Sequence, residues 1–289
     1  MSLIERTERA ERTQHHPIDG FDNRLGDAAT RYLGEGHRRV LLDVSTPVPE
    51  QEDTFNSVAT LRYPDDWSVK AGQRREPHLS TIDAIRIATS VTNGIVVQHL
   101  PHLAGYALEQ TLSVRAGARP WNELAAVPVR SVVRVGLDGR SLFAQHQVGS
   151  LRVESTWGAG TAAPISAGGE SGRATSLRLG ENDSATCEYT REEPCSAPMT
   201  FLEALTLTAQ LSQVILYGGA PGARASSGNM WMRRAQFQRV RSVTAPQQHV
   251  TLSLRNRRLM TVGDSRIETT DVIAEDVFGI HVTAALATA

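Results

Sequence analysis

Two stretches of this chain carry apolar residues at helical spacing, and the second repeats the first. They are Leu79-Ser-Thr-Ile-Asp-Ala-Ile-Arg-Ile-Ala-Thr-Ser-Val-Thr-Asn-Gly-Ile and Met199-Thr-Phe-Leu-Glu-Ala-Leu-Thr-Leu-Thr-Ala-Gln-Leu-Ser-Gln-Val-Ile. Aligned 120 residues apart, they pair Ser80 with Thr200, Ile82 with Leu202, Asp83 with Glu203 and Ala84 with Ala204. Apolar residues then recur in register at 85/205, 87/207, 91/211 and 95/215. Self-similarity of this kind marks a duplicated structural unit. The second helix is apolar around most of its circumference, which predicts burial on several sides.

The segments around the helices read as strands. His37–Val48 and Thr54–Tyr63 precede the first helix, and Val127–Leu137, Leu142–Val148 and Leu151–Trp157 follow it. Thr175–Leu179 and Ala185–Thr190 precede the second, and Met230–Val243, Val250–Leu254 and the run from Arg258 to Leu286 follow it. Alternation in Val250-Thr-Leu-Ser-Leu and Arg266-Ile-Glu-Thr-Thr-Asp-Val predicts half-buried strands. Each half thus reads strand–strand–helix–strand–strand–strand, and its short connections favour antiparallel pairing. The predicted fold is α+β, a double hotdog: two antiparallel sheets, each wrapped around one buried helix. The predicted organisation is a disordered tail over 1–20, a first unit over 21–158, a linker over 159–173 and a second unit over 174–289. The linker is rich in glycine, alanine and serine. Gly218–Asn229 reads as a flexible connection from the second helix to its strands.

Composition narrows the function classes. The chain has 289 residues, 40% of them hydrophobic, and a formal net charge of −1. That suffices for two packed cores and advertises no nucleic-acid partner. The start, MSLIERTERAERTQHH, lacks the apolar stretch of a signal peptide, and Ile82–Leu100 is interrupted by Asp83, Arg86, Asn93 and His99. A cytoplasmic protein with no membrane partner is therefore expected. Cys187 and Cys195 make neither a disulfide framework nor a zinc set. His99 and His102 are spaced i, i+3 but separated by Pro101, with no third ligand in view, so no metal is expected. Nothing calls for an organic cofactor either. Sheet edges leave a homodimer open.

Asp83 and Glu203 are the leading candidates for chemistry. A carboxylate one turn into a buried helix must be paired, hydrogen-bonded or protonated. It can then serve as a general acid or base, beside helix N-terminal amides able to polarise a carbonyl. The alternative is structural: Ser80-x-x-Asp83 and Thr200-x-x-Glu203 both fit a capping box, and Arg86 at i+3 can pair with Asp83. His78, just before the first helix, can join a carboxylate from the other half or stand as an ordinary loop histidine. Tyr63-Pro-Asp-Asp-Trp-Ser-Val-Lys gathers Asp66, Trp67 and Lys70, the only lysine, in a predicted loop that reads as a binding segment or a plain turn. Trp231 and Arg233, in Met230-Trp-Met-Arg-Arg, open a strand and can face a ligand, or can be core and solvated face. Gly34-x-Gly36 lacks the surroundings of a phosphate-binding loop.

Two resemblances follow from these residues. Pro198-Met-Thr-Phe-Leu-Glu-Ala-Leu resembles the central-helix motif of FabZ-like dehydratases and AfsA-type butenolide synthases, which would make Glu203 the helix carboxylate of that class. Met199 or Thr200 stands where that motif has glycine, and Leu207 where it has glutamine. Its histidine has no counterpart in 192–197, leaving His78 as the nearest candidate. Arg31-Tyr-Leu-Gly-Glu-Gly-His-Arg-Arg-Val, Tyr63-Pro-Asp-Asp-Trp-Ser and Pro77-His-Leu-Ser-Thr-Ile-Asp-Ala resemble the AvrD (avirulence protein D) family. That resemblance implies an enzyme of signal-molecule biosynthesis that joins a β-ketoacyl thioester, on CoA or an acyl carrier protein, to a small sugar or polyol. Dehydratase, thioesterase and non-catalytic ligand-binding readings remain as alternatives.

Overall fold

The computed structural model describes residues 20–70, 72–103, 108–158, 172–191, 197–218, 230–262 and 265–288. Cys195, the predicted tail up to residue 19 and most of the predicted linker and of the 218–229 connection lie outside them.

A short helix α1 (Phe21–Leu25) leads into β1 (Leu41–Val44), β2 (Val48–Gln51), β3 (Thr54–Arg62) and the small hairpin β4 (Val69–Lys70) and β5 (Gln73–Arg74). Helix α2 (Thr81–His99) follows, then β6 (Leu108–Arg115), β7 (Val127–Val135), β8 (Leu142–Val148) and β9 (Leu151–Gly158). The second half runs β10 (Gly172–Gly180), β11 (Ser184–Arg191), α3 (Phe201–Leu216), β12 (Met230–Arg239), β13 (Gln247–Val262), β14 (Ser265–Val277) and β15 (Ile280–Thr288).

The two predicted sheets are one. Twelve strands hydrogen-bond in the order β1-β3-β7-β8-β9-β6-β12-β15-β14-β13-β11-β10, and β2 adds to β3. Read inward from either edge, the halves have the same topology: two strands from before the helix, three that close the half, then the first strand after the helix. Those last strands, β6 and β12, pair antiparallel and fuse the halves. Fusion buries two edges that would otherwise present unpaired backbone groups. The ladders of both strands slip, between Glu109 and Thr111 in β6 and between Met232 and Arg234 in β12. Gln110 and Arg233 are the bulged residues, and Ser113 and Gln236, each three residues further on, face each other across the join. A pseudo-two-fold axis therefore passes through that pair.

Helix α2 packs on β1, β7, β8 and β9, and α3 on β11, β13, β14 and β15. Strand alternation follows, as in β8, where Leu142, Ala144, His146 and Val148 are buried and Phe143 and Gln147 are exposed. The apolar circumference of α3 also has its reason. Its outer side is covered by α1, with Phe21 and Leu25 buried, and by Arg31, whose Nη1 donates to Gln210 Oε1 at 2.7 Å. The Gly34-x-Gly36 spacing is explained by close backbone approach. A Cβ on Gly36 would lie 2.3 Å from the Trp67 carbonyl oxygen, and one on Gly34 2.4 Å from that of Ala28. Gly36→Ala is expected to cost about 1–3 kcal/mol by overpacking. An unchanged melting temperature would show that this turn has slack.

His146 is fully buried in β8 between Thr92 Oγ1, 2.9 Å from Nε2, and Ser131 Oγ, 2.8 Å from Nδ1. Burial pushes its pKa from 6.5 down to about 3, and burial likewise takes His37 down to about 4. Below pH 6.5 the unfolded chain binds protons at these residues that the folded chain refuses. Stability from this source is complete above pH 6.5 and is lost as pH falls, by up to about 1.4 kcal/mol per pH unit for each histidine. Denaturant melts at pH 7, 6 and 5 should show the decline, and His146→Asn should reduce its slope. A flat wild-type profile would contradict this assignment.

Candidate functional site

Both helix carboxylates sit in complete capping boxes. Ser80 Oγ accepts from Asp83 N at 3.0 Å, and Asp83 Oδ2 accepts from Ser80 N at 3.3 Å. Thr200 Oγ1 accepts from Glu203 N at 3.1 Å, and Glu203 Oε2 accepts from Thr200 N at 2.8 Å and from Thr200 Oγ1 at 3.0 Å. The structural role foreseen for these acids is therefore present at both sites. What differs is the rest of each environment.

Asp83 has 0% exposure and is crowded with donors. Besides Ser80 N, its Oδ2 accepts from Ser80 Oγ at 2.5 Å, from Tyr32 Oη at 2.9 Å and from Tyr63 Oη. Arg86 Nη1 lies 3.8 Å from Oδ1 and donates to the carbonyls of His37 and Val40. Burial first, and the Asp83 charge second, push both tyrosine hydroxyls up, so they stay protonated as donors. Tyr32 and Tyr63 each meet the Trp67 ring edge-on, with centroids 5.2 and 5.0 Å away, and seal the carboxylate. This is a closed polar cluster in which the donors converge on Oδ2, while among the described residues the buried Oδ1 has only the approach of Arg86.

Glu203 is held differently. Its Oε1 faces Arg191 Nε at 3.5 Å, both side chains being buried, and Arg191 Nη1 donates to Ala197 O at 2.8 Å. A second arginine, Arg239, donates from Nε to Glu109 O and from Nη2 to Met199 O, both at 2.9 Å, and lies 5.1 Å over the Phe201 ring. Two arginines thus brace the segment entering α3. The box uses the Thr200 and Glu203 amides, and among the described residues the Phe201 and Leu202 amides of the first turn have no acceptor. Glu203 also lines a cleft of about 350 Å³ between α3, β10, β11 and the segment from Gly20 to Arg38. Arg38, Arg173, Thr206 and Gln210 give its walls polar groups.

The join of the sheets makes both sites composite. The start of β12 reaches the α2 site, where Trp231 meets His78 with ring centroids 5.3 Å apart. The start of β6 reaches the α3 site through Glu109, held to Arg239.

The remaining candidates scatter. His78 Nδ1 lies 3.4 Å from Glu76 O, and among the described residues the ring bonds to neither helix carboxylate. Trp67 is buried, with Nε1 donating to Arg75 O at 2.8 Å. Asp66 is exposed and ion-paired to Arg39 at 2.9 Å, and that hydrogen bond lowers its pKa. Lys70 is buried with its Nζ 5.9 Å from the Tyr217 ring centroid, tying the first half to the end of α3. Arg233 is an exposed bulge residue. The structure thus gathers His78, Trp67 and Trp231 around the Asp83 cluster and places none of them, nor Asp66, Lys70 or Arg233, among the residues lining the Glu203 cleft. Tyr32, Arg191, Arg239 and Glu109 went unread as site residues. The side-chain partners of Tyr32 and Arg239 come from segments remote in sequence, whereas Ala197 and Glu203, which Arg191 meets, lie just ahead of it and at the start of α3. For Tyr32 and Tyr63, only their presence inside quoted motifs offered a hint.

The family model described as Pseudomonas avirulence D protein (AvrD) matches residues 16–176 and 170–289. Among curated proteins no sequence match is found. A tesB protein of Mycobacterium avium subsp. paratuberculosis aligns with 84% of this chain and 96% of its own, at 12% identity and TM-score 0.46. A putative oleoyl thioesterase from Lactobacillus plantarum aligns with 86% and 95%, at 9% identity and TM-score 0.45. A hot dog fold protein of unknown function from Alicyclobacillus acidocaldarius aligns with 93% and 97%, at 10% identity and TM-score 0.42. At these scores the likenesses carry no weight for function. No described helix is long and apolar enough to cross a membrane.

Proposed function

Because the chain belongs to the AvrD (Pseudomonas avirulence D protein) family, matched across both halves, we propose that it is a cytoplasmic acyl-handling enzyme of signal-molecule biosynthesis. Its reaction joins a β-ketoacyl thioester to a small sugar or polyol. The fold is read as a double hotdog whose units, 21–158 and 174–289, have merged their sheets. The observation that carries this reading is Glu203: a buried carboxylate at a helix N-terminus, lining a cleft of about 350 Å³.

In this reading Glu203 takes the proton of an acceptor hydroxyl as its oxygen attacks the thioester carbonyl carbon. The Phe201 and Leu202 amides stabilise the oxygen on which charge develops. Asp83, His78, Trp67 and Trp231 form the support of the other half, in which Oδ2 of the acid already accepts from Ser80, Tyr32 and Tyr63.

Thiol release separates the alternatives. A β-ketoacyl thioester incubated with the protein should liberate thiol much faster when a triose or pentose is present. Acceptor-independent release would instead identify a thioesterase. Enoyl product from a β-hydroxyacyl thioester, without thiol release, would identify a dehydratase. Bound, unchanged thioester would identify a ligand-binding protein.

A further inference from the structure

The bulge in β6 re-aims one side chain. Past it, Leu112 and Val114 are buried, whereas Thr111 is exposed and Ser113 half-buried. An unbroken strand would put Glu109 on the side of Thr111 and Ser113. The slip between Glu109 and Thr111 turns it toward the buried side instead. The residue as a whole is half-buried, but its Oε1 is sealed from solvent and, among the described residues, has no hydrogen-bond partner. Arg239 shows the complementary defect. Two of its nitrogens are fixed on the Glu109 and Met199 carbonyls, while Nη1 is buried without an acceptor among the described residues. A sealed acceptor and a sealed donor, each unmet, are costly to keep buried. They occur together where the first half's strand meets the start of α3. At the pseudo-symmetric position of Glu109, one residue before the other bulge, stands Met232, which cannot exchange a proton.

Accepting the acyl-transfer reading above, we propose that Glu109 is the general acid for the departing thiol and that Arg239 Nη1 is a donor to the thioester carbonyl oxygen. The atoms balance within the site. The acceptor hydroxyl oxygen bonds to the carbonyl carbon and gives its proton to Glu203. The carbonyl oxygen gains negative charge against Arg239 Nη1 and the helix amides. As the carbonyl re-forms, the C–S bond breaks and its electron pair leaves on sulfur, which takes the proton from Glu109. Solvent exchange then returns a proton to Glu109 and removes one from Glu203.

The electrostatics suit this division. Burial raises the Glu109 carboxyl from 4.5 to about 7, against the opposing charge of Arg239, so near neutrality a large share is protonated. Arg239 on β12 is the charged group facing it, and Arg239 is itself influenced by Arg191 on β11 and Glu203 on α3.

The test uses leaving groups. An alkyl thiolate needs a proton to depart and an aryl thiolate does not. Glu109→Gln should slow acyl transfer from an alkyl thioester about 10²-fold or more while changing transfer from the matching aryl thioester less than about 5-fold. It should also remove the upper inflection near pH 7 from the alkyl-thioester profile. Glu109→Asp, which retains an acid, should recover part of the alkyl-thioester rate and provides a second variant if the glutamine protein folds poorly. Equal losses on both thioesters, or no loss on either, would overturn the role given to Glu109. Wild-type protein that transfers from neither thioester would overturn the acyl-transfer reading itself, and this inference with it.

Discussion

Replacing Glu203 with glutamine is expected to lower acyl transfer by about 10²–10⁴-fold, the range for loss of a positioned general base. Shape and capping survive the change, because glutamine at the third helical position still reaches back to the cap residue's amide. What is lost is the titration and the charge facing Arg191. Arg191 is then a buried charge facing a neutral amide, so the stability cost should reach about 3–5 kcal/mol, as for a buried pair that loses one charge. Steady-state rates and thermal melts of the same preparation separate the two effects. A variant that folds and still turns over would remove Glu203 from the chemistry.

Asp83→Ala should have its main effect on stability. Four donors from three residues converge on Asp83 Oδ2, two of them tyrosine hydroxyls, and Arg86 lies beyond Oδ1. Removing the acceptor strands these groups in a sealed layer and leaves Arg86 without its nearby carboxylate. A loss of about 3–5 kcal/mol is expected, as for a buried charge deprived of its partner. For a chain of this size that corresponds to a fall in Tm of about 10 °C. A loss below about 1 kcal/mol would mean that the tyrosines find other acceptors and that the cluster is not a structural keystone. The contrast between the two acids is the main consequence of the duplication. The halves share a capping box, but one has filled the space around its acid with tyrosines while the other keeps a cleft beside it.

Much of this was legible in the sequence. The helix repeat carries both capping boxes, and the all-round apolar character of α3 predicts burial on several sides, which α1 and the sheet supply. Strand Leu142–Val148 was read to the residue. The strand that fuses the halves was not. In Leu108-Glu-Gln-Thr-Leu-Ser-Val-Arg the alternation breaks at Gln110, so a period-two reading fails over the bulge that defines its role. His37–Val48 read as one strand because its apolar residues outweighed the turn chemistry of Gly36 and Pro47. It is instead a 3-10 turn, Gly36–Arg39, followed by two short strands. The join of the sheets was missed for the same reason as the site partners. Tyr32 with Asp83, Glu109 with Arg239, and Arg31 with Gln210 are pairs separated by 51, 130 and 179 residues. No local pattern encodes such contacts; they follow from which edges pair.

The central claim, that this chain joins an acyl thioester to a small polyol at the Glu203 site, has a direct measurement. Wild-type protein would be incubated with a β-ketoacyl thioester carrying a ¹³C-labelled acyl chain and an unlabelled pentose, and the products read by mass spectrometry. The account predicts the label in a new acyl–pentose adduct that is absent when Glu203→Gln replaces wild type. Label found only in free acid, or only in unreacted thioester, would contradict it.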